Sequence, residues 1–211
     1  MIELSNNIFT IPSLLTPEKC SQLINESEKI GYSEADIQVH QGRQHLPNIR
    51  NNQRVNYYSQ QLAQELWHQL ASYSLPIYEG KQAINLSPYF RFYRYTPGQK
   101  FKIHQDGRQN VDGNETLFTL LIFLSEEFQG GDTHFRQDRI KIIPKTGHAL
   151  IFEHRLWHKG CLVEQGIKYV LRTDIVYSPS LVKPIISSPV SASGHENLLR
   201  SGQDARTPRI L

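Results

Sequence analysis

Apolar positions along this chain change rhythm near residue 76. Before it, two stretches carry a helical stripe. Cys20, Leu23, Ile24 and Ile30 recur at spacings that share one helix face. Thr16-Pro17-Glu18 supplies a capping residue, a first-turn proline and an adjacent acid, and Gly31 can end the helix. Leu62, Leu66, Trp67 and Leu70 predict a second helix from about Ser59 to Tyr73. Residues 33–56 between them are polar, with Gly42, Pro47 and Asn51-Asn52, and read as a long loop with short strands.

After Pro76 the period falls to two. Runs at Tyr89–Tyr95, Phe101–His104, Leu117–Leu124, Thr133–Phe135, Ile140–Ile143, Ala149–Phe152, Trp157–Val163 and Lys168–Tyr177 read as strands. They are separated by Pro97-Gly98, Asp112-Gly113, Gly130-Gly131, the 144–147 segment and Gly166. Short strands at such intervals predict a barrel or sandwich, with the helices packed outside it. The class is α+β, mainly β. One domain is expected over 1–177, with a helical part at about 1–75 and a β core at about 76–177. A tail over 178–211, rich in Ser, Pro, Gly and Arg, lacks periodicity.

Composition narrows the setting. Hydrophobic residues make up 38% and charged residues 20%, and the net charge of +3 is spread along the chain. That distribution makes no electrostatic case for nucleic acid or membrane. Two distant cysteines, Cys20 and Cys161, form neither a disulfide framework nor a zinc spacing. The opening residues lack a signal-peptide pattern and no run reaches membrane-spanning length, so the cytoplasm is the expected location. Oligomeric state is not legible.

The chemistry gathers on the β part. In His104-Gln105-Asp106 an imidazole and a carboxylate two residues apart share one side of a strand. His158 lies on a later strand. Two histidines and a carboxylate make a facial triad that suits non-haem Fe(II) with open coordination positions, whereas a closed zinc site would want a fourth ligand. His-x-Asp alone is a weak signal; the third ligand strengthens it. Lys168 lies in the apolar run Ile167-Lys168-Tyr169-Val170-Leu171, where a buried cation needs an anion. Arg172 shares its face, and could instead pair with Asp174. Tyr95 ends the strand before His104 and could offer a hydroxyl to the same anion. His134 and His154 read as neighbours of the site rather than ligands.

Together these segments resemble the prolyl 4-hydroxylase-like branch of the 2-oxoglutarate/Fe(II) oxygenases. The resemblance is carried by Tyr93-Arg94-Tyr95-Thr96-Pro97-Gly98, His104-Gln105-Asp106, Thr119 through Leu124, Gly130-Gly131-Asp132-Thr133-His134-Phe135, Gly147 through Phe152, and His158-Lys159-Gly160 through Lys168. It implies a double-stranded β-helix, or jelly roll, with iron held by His104, Asp106 and His158 at one open end. It implies Lys168 as partner of the far carboxylate of 2-oxoglutarate, helped by Tyr95, with Thr119 lining the pocket. Arg172, a second inward cation, is the competing partner. The implied reaction hydroxylates a C–H bond, with 2-oxoglutarate and O2 as cosubstrates, succinate and CO2 as products, and ascorbate as an optional reductant. A protein substrate, such as a prolyl residue, leads. Arg50 and Arg54, read as part of a loop over the mouth, are candidate substrate contacts or plain surface charges. The alternatives are the same chemistry on a small molecule or free amino acid, and a non-catalytic metal-binding jelly-roll sensor or binding module. Without a cation facing the metal, the sensor would be the better reading.

Overall fold

The computed structural model describes residues 1–35, 37–39, 42–44, 46–137 and 139–179. Most of the expected tail, from residue 180 onward, lies outside the described residues.

Two large antiparallel sheets form the core, beside two two-stranded ribbons, Phe128–Gly130 with Val163–Gly166 and Ile37–Val39 with Gly42–Gln44. In the larger, the main path runs Ile2–Ser5, Ile8–Ile11, Ala149–Glu153, Asn114–Phe123, Lys168–Pro179, Tyr89–Tyr95, Gln53–Tyr58, Ser33–Glu34. The smaller runs Lys141–Ile142, Thr133–Phe135, His158–Gly160, Phe101–His104. Neighbours in this order are often distant in sequence, which gives a jelly-roll sandwich rather than a meander.

Period-two alternation sorts the larger sheet into two faces. Phe9, Ile11, Phe90, Phe92, Leu120, Ile122, Ile151 and Leu171 point one way, into a core shared with Leu23, Leu62, Leu66 and Leu70 of the helices. Ile8, Tyr93, Phe123, Leu150, Phe152 and Val170 point the other way and meet Phe135 and Ile142 of the smaller sheet. Both faces are therefore covered. This explains why Ala149–Glu153, buried at every position, reads as a continuous apolar run.

The helices form as their sequences direct. Pro17–Ile30 begins where the Thr16 hydroxyl accepts from the Lys19 amide, and ends at Gly31, whose φ of 92° frees its N–H to reach the Ser27 carbonyl. Gln60–Leu70 starts at Ser59, whose hydroxyl accepts from the Leu62 amide. It stops three residues short of the expected Tyr73. No helix among the described residues is long and apolar enough to cross a membrane.

The N-terminal part is less helical than expected. Ile2–Ser5 and Ile8–Ile11 extend the larger sheet beside Ala149–Glu153, and Gln53–Tyr58 pairs with Tyr89–Tyr95. The expected short strands of 33–56 include this one, which runs past the expected end to Tyr58. Arg54 sits in a paired strand opposite Tyr93, not in a flexible cover.

Candidate metal and cosubstrate site

The candidate ligands come from the smaller sheet and from the segment that follows one of its strands. His104 ends one strand of the smaller sheet, and His158 begins the neighbouring one directly opposite it. Asp106 follows His104 and is anchored by its own amide, which donates to the His154 carbonyl at 2.8 Å. One ligand atom from each of His104, Asp106 and His158 lies within 4.8 Å of the others, and all three residues are buried. Nε2 of His104 is 3.8 Å from Oδ1 of Asp106, and Nε2 of His158 is 3.8 Å from Oδ2.

The residues present fit a metal ion, for three reasons. Nδ1 of His104 sits 2.8 Å from the Lys102 carbonyl, and Nδ1 of His158 sits 2.9 Å from the Leu156 carbonyl. A carbonyl only accepts, so each ring carries its proton on Nδ1 and turns an Nε2 lone pair toward the centre. Burial drives both imidazoles toward the neutral form, most strongly His104, which also faces His158. Burial opposes the charge of Asp106, but the Arg172 guanidinium outweighs it and holds this carboxyl far below the usual carboxylate range. Neutral imidazoles and an ionised carboxylate are the protonation states a metal requires. Among the described residues no fourth ligand joins the group. Phe101 stacks on His104 with ring centroids 3.6 Å apart and fixes the imidazole plane.

Asp106 is held from two sides. The Thr119 hydroxyl donates to Oδ2 at 2.6 Å, and Arg172 Nη1 is 3.0 Å from Oδ1. Thr119, expected along the cosubstrate wall, is thus spent on the carboxylate. Arg172 also reaches Asp174 Oδ1 at 3.1 Å, and His154 Nε2 lies 3.5 Å from that same oxygen. Asp174 and the fully buried His154 complete this ring. Sequence reasoning raised Asp174 only as an alternative partner and His154 only as a neighbour. The signal available was the alternation of 168, 170, 172 and 174 along one strand.

A cavity of about 40 Å³ adjoins the triad, walled in part by Tyr95, Thr133, Lys168, Val170 and Arg172. Lys168 is 4% exposed, and its ammonium donates only to the Gly131 carbonyl, at 2.5 Å. No carboxylate pairs with it among the described residues. Burial pulls its pKa down to about 8. Gly131 is required here. Its φ is +68°, and a side chain would bring a Cβ to 2.9 Å from the Phe128 ring. The Tyr95 ring lies 5.4 Å from the ammonium, and burial raises its hydroxyl to about 12, so it stays a donor.

Arg50 and Arg54 both lie beside Tyr93, Arg54 as its strand partner. Arg50 is 5% exposed, with its guanidinium 4.4 Å from the Tyr93 ring centre and 4.5 Å from that of Phe101, and its Nε donates to Asn52. It is a packed neighbour of the site, not a surface charge. Beside it, burial would raise the Tyr93 hydroxyl, but Arg172, Arg50 and Arg91 pull it down to about 7.

A jelly roll thus presents two histidines and a carboxylate at one end, a group that could hold a metal ion, with a buried lysine beyond. Residues 90–173 match the model of the 2OG-Fe(II) oxygenase superfamily, and this segment is similar to the domains of that superfamily. A protein of Acanthamoeba polyphaga mimivirus named for prolyl 4-hydroxylase is 27% identical over 161 residues, which are 70% of this chain. The match spans only 60% of that relative's length. Among solved structures, the viral collagen prolyl hydroxylase of Paramecium bursaria Chlorella virus-1, in its 2OG complex, is 23% identical with a TM-score of 0.58. That match covers 81% of this chain and 96% of that one. A Trichoplax adhaerens prolyl hydroxylase bound to a hypoxia-inducible-factor peptide is 15% identical, with a TM-score of 0.65 over 82% of this chain and 84% of that one. These two share the fold.

Proposed function

We propose that this chain is an Fe(II)- and 2-oxoglutarate-dependent dioxygenase that hydroxylates a C–H bond of a polypeptide, with a prolyl residue the leading target. One observation carries the reading: a buried His-Asp-His group adjoins a buried lysine that has no acid of its own. Burying an unpaired ammonium is costly, and the cost is recovered when an anion arrives. A metal-binding module without a cosubstrate would have no use for it.

Fe(II) with 2-oxoglutarate, when bound, supplies oxidative decarboxylation to succinate and CO2 and the oxidising power for hydroxylation. The chain's residues position and protect. His104, Asp106 and His158 would hold the metal on one face and leave the opposite positions open. Lys168 would take the far carboxylate of the cosubstrate, with Tyr95 as a second donor. Arg172 is committed to Asp106 and Asp174, so it acts on the metal ligand rather than competing for the cosubstrate. Retention of Asp106 argues against a halogenase, in which a halide would need that position. The apolar wall of Phe152, Leu121 and Val170 keeps water out of the cavity.

The relatives named for prolyl hydroxylation favour a polypeptide over a small molecule. So does a larger groove beside the cavity, which a compact metabolite would not fill. Two free cysteines suit a reducing compartment such as the cytoplasm.

His104→Ala or Asp106→Ala should abolish both anaerobic Fe(II) binding and 2-oxoglutarate-dependent succinate formation, with circular dichroism unchanged. Full turnover in either variant overturns the assignment.

A further inference from the structure

Many cations on this surface are matched by acids. Lys19 pairs with Glu65, Lys81 with Glu115, Arg94 with Glu28, Arg108 with Glu79, Lys145 with Glu126 and Arg155 with Glu79. One region departs from this. A groove of about 650 Å³ on the smaller sheet is lined by Lys100, Lys102, Arg136, Arg139 and Lys159, with no acid among its described lining residues. All five are exposed, and none forms an ion pair with another of the described residues. The nearby acid Asp132 is taken up by Lys141 at 2.8 Å.

The groove is continuous with the site. Phe101 and Gly160 wall both it and the metal cavity. A chain lying along the groove would pass the triad, and a single side chain could turn inward.

From this geometry we infer that the groove binds an acidic polypeptide segment and selects substrates with Asp or Glu beside the modified residue. The inference rests on the oxygenase reading for the chemistry, but not for the binding. A cluster of charge of one sign beside a reaction centre attracts a partner of the opposite sign and fixes its register. Nucleic acid is the weaker occupant. Single strands are held by aromatic faces on which bases stack, and the exposed part of the groove offers none. Phe101 is stacked on His104 and packed against the Arg50 guanidinium, and Phe135 is buried.

Fluorescein-labelled peptides of one length, with a central proline flanked by Glu, Ala or Lys, test this by anisotropy on the full chain. The Glu peptide should bind about tenfold tighter than the Ala peptide. The preference should shrink as NaCl rises from about 50 to about 300 mM. Lys100→Glu with Arg136→Glu should reverse the order of Glu and Lys peptides. Equal binding of Glu and Ala peptides by the unaltered protein overturns the inference. So does displacement of the Glu peptide by an equimolar single-stranded oligonucleotide. Uncoupled 2-oxoglutarate turnover by the unaltered protein, measured alongside, separates the two claims. Glu preference without turnover supports the groove and sinks the oxygenase reading; turnover without Glu preference does the reverse.

Discussion

Lys168 and Arg172 lie on one strand, on one face, and wall one cavity, yet their surroundings are opposite. Arg172 has two carboxylates at about hydrogen-bonding distance, Asp106 at 3.0 Å and Asp174 at 3.1 Å. Lys168 has a single backbone carbonyl. Burial disfavours charge at both, but the carboxylates around Arg172 more than compensate and hold it firmly charged. Lys168, lacking them, slips to about 8. The difference separates two uses of buried charge. One cation is paired within the protein, while the other has no carboxylate partner among the described residues, as the anion site proposed above requires. It follows that removing them should move stability in opposite directions.

The larger effect belongs to Arg172. Arg172→Met leaves Asp106 and Asp174 buried without their main counter-ion. Breaking a buried pair from one side costs about 3–5 kcal/mol, so thermal denaturation of the metal-free variant should fall steeply. A divalent ion at Asp106 restores positive charge, so Fe(II) or Mn(II) under anaerobic conditions should recover more stability in the variant than in the parent. An Arg172→Met protein as stable as the parent without metal would break the comparison.

Lys168→Met should do the reverse. It removes an unpaired buried cation and fills the space with an apolar chain, so the metal-free protein should be as stable as the parent or more so. Its cost falls on the cosubstrate. Loss of a buried charge partner is worth about 2–5 kcal/mol, so the KM for 2-oxoglutarate should rise at least about thirtyfold, while Fe(II) affinity measured without cosubstrate stays put. If Arg172→Met raised that KM equally and Lys168→Met did not, the two roles would have to be exchanged.

How much of this was legible in the sequence follows from where each interaction closes. Tyr89–Tyr95, Phe101–His104 and Thr133–Phe135 have the bounds their alternation predicts, because each is a local pattern bounded by turn residues. Ile2–Ser5, Ile8–Ile11 and the bounds of Gln53–Tyr58 escaped. Ile8–Ile11 and Gln53–Tyr58 find partners far along the chain, Ile2–Ser5 is short and largely exposed, and QRVNYY buries only Val55 fully. The same division holds at the site. His104 and Asp106 are two apart and announce a shared face. The choice between Lys168 and Arg172 could not be made, since it depends on Asp106 reaching Arg172 across the sandwich. The surface-charge alternative for Arg50 fails because nothing local reveals that Tyr93 and Phe101 enclose it.

The smallest effect concerns pH, and it sharpens the contrast because only one of the two cations can titrate. In the cosubstrate-free protein the Lys168 pKa lies at about 8, against 10.5 for an unburied lysine. Below pH 8 the ammonium is in place. Above it, 2-oxoglutarate must bind together with a proton, so its dissociation constant should climb toward tenfold per pH unit, up to the limit set by its metal-chelating end. Stability runs the other way. The unfolded chain keeps this proton up to about 10.5 while the folded chain gives it up near 8, so the burial penalty is full below 8 and is relieved as pH rises between the two values. Anaerobic titration of 2-oxoglutarate into the Fe(II)-loaded protein across pH 7.5 to 9.5 reads the first trend. Lys168→Arg should flatten it, since a guanidinium stays charged throughout. A pH dependence that survives Lys168→Arg would place the titrating group elsewhere and remove the basis for treating Lys168 as the waiting charge.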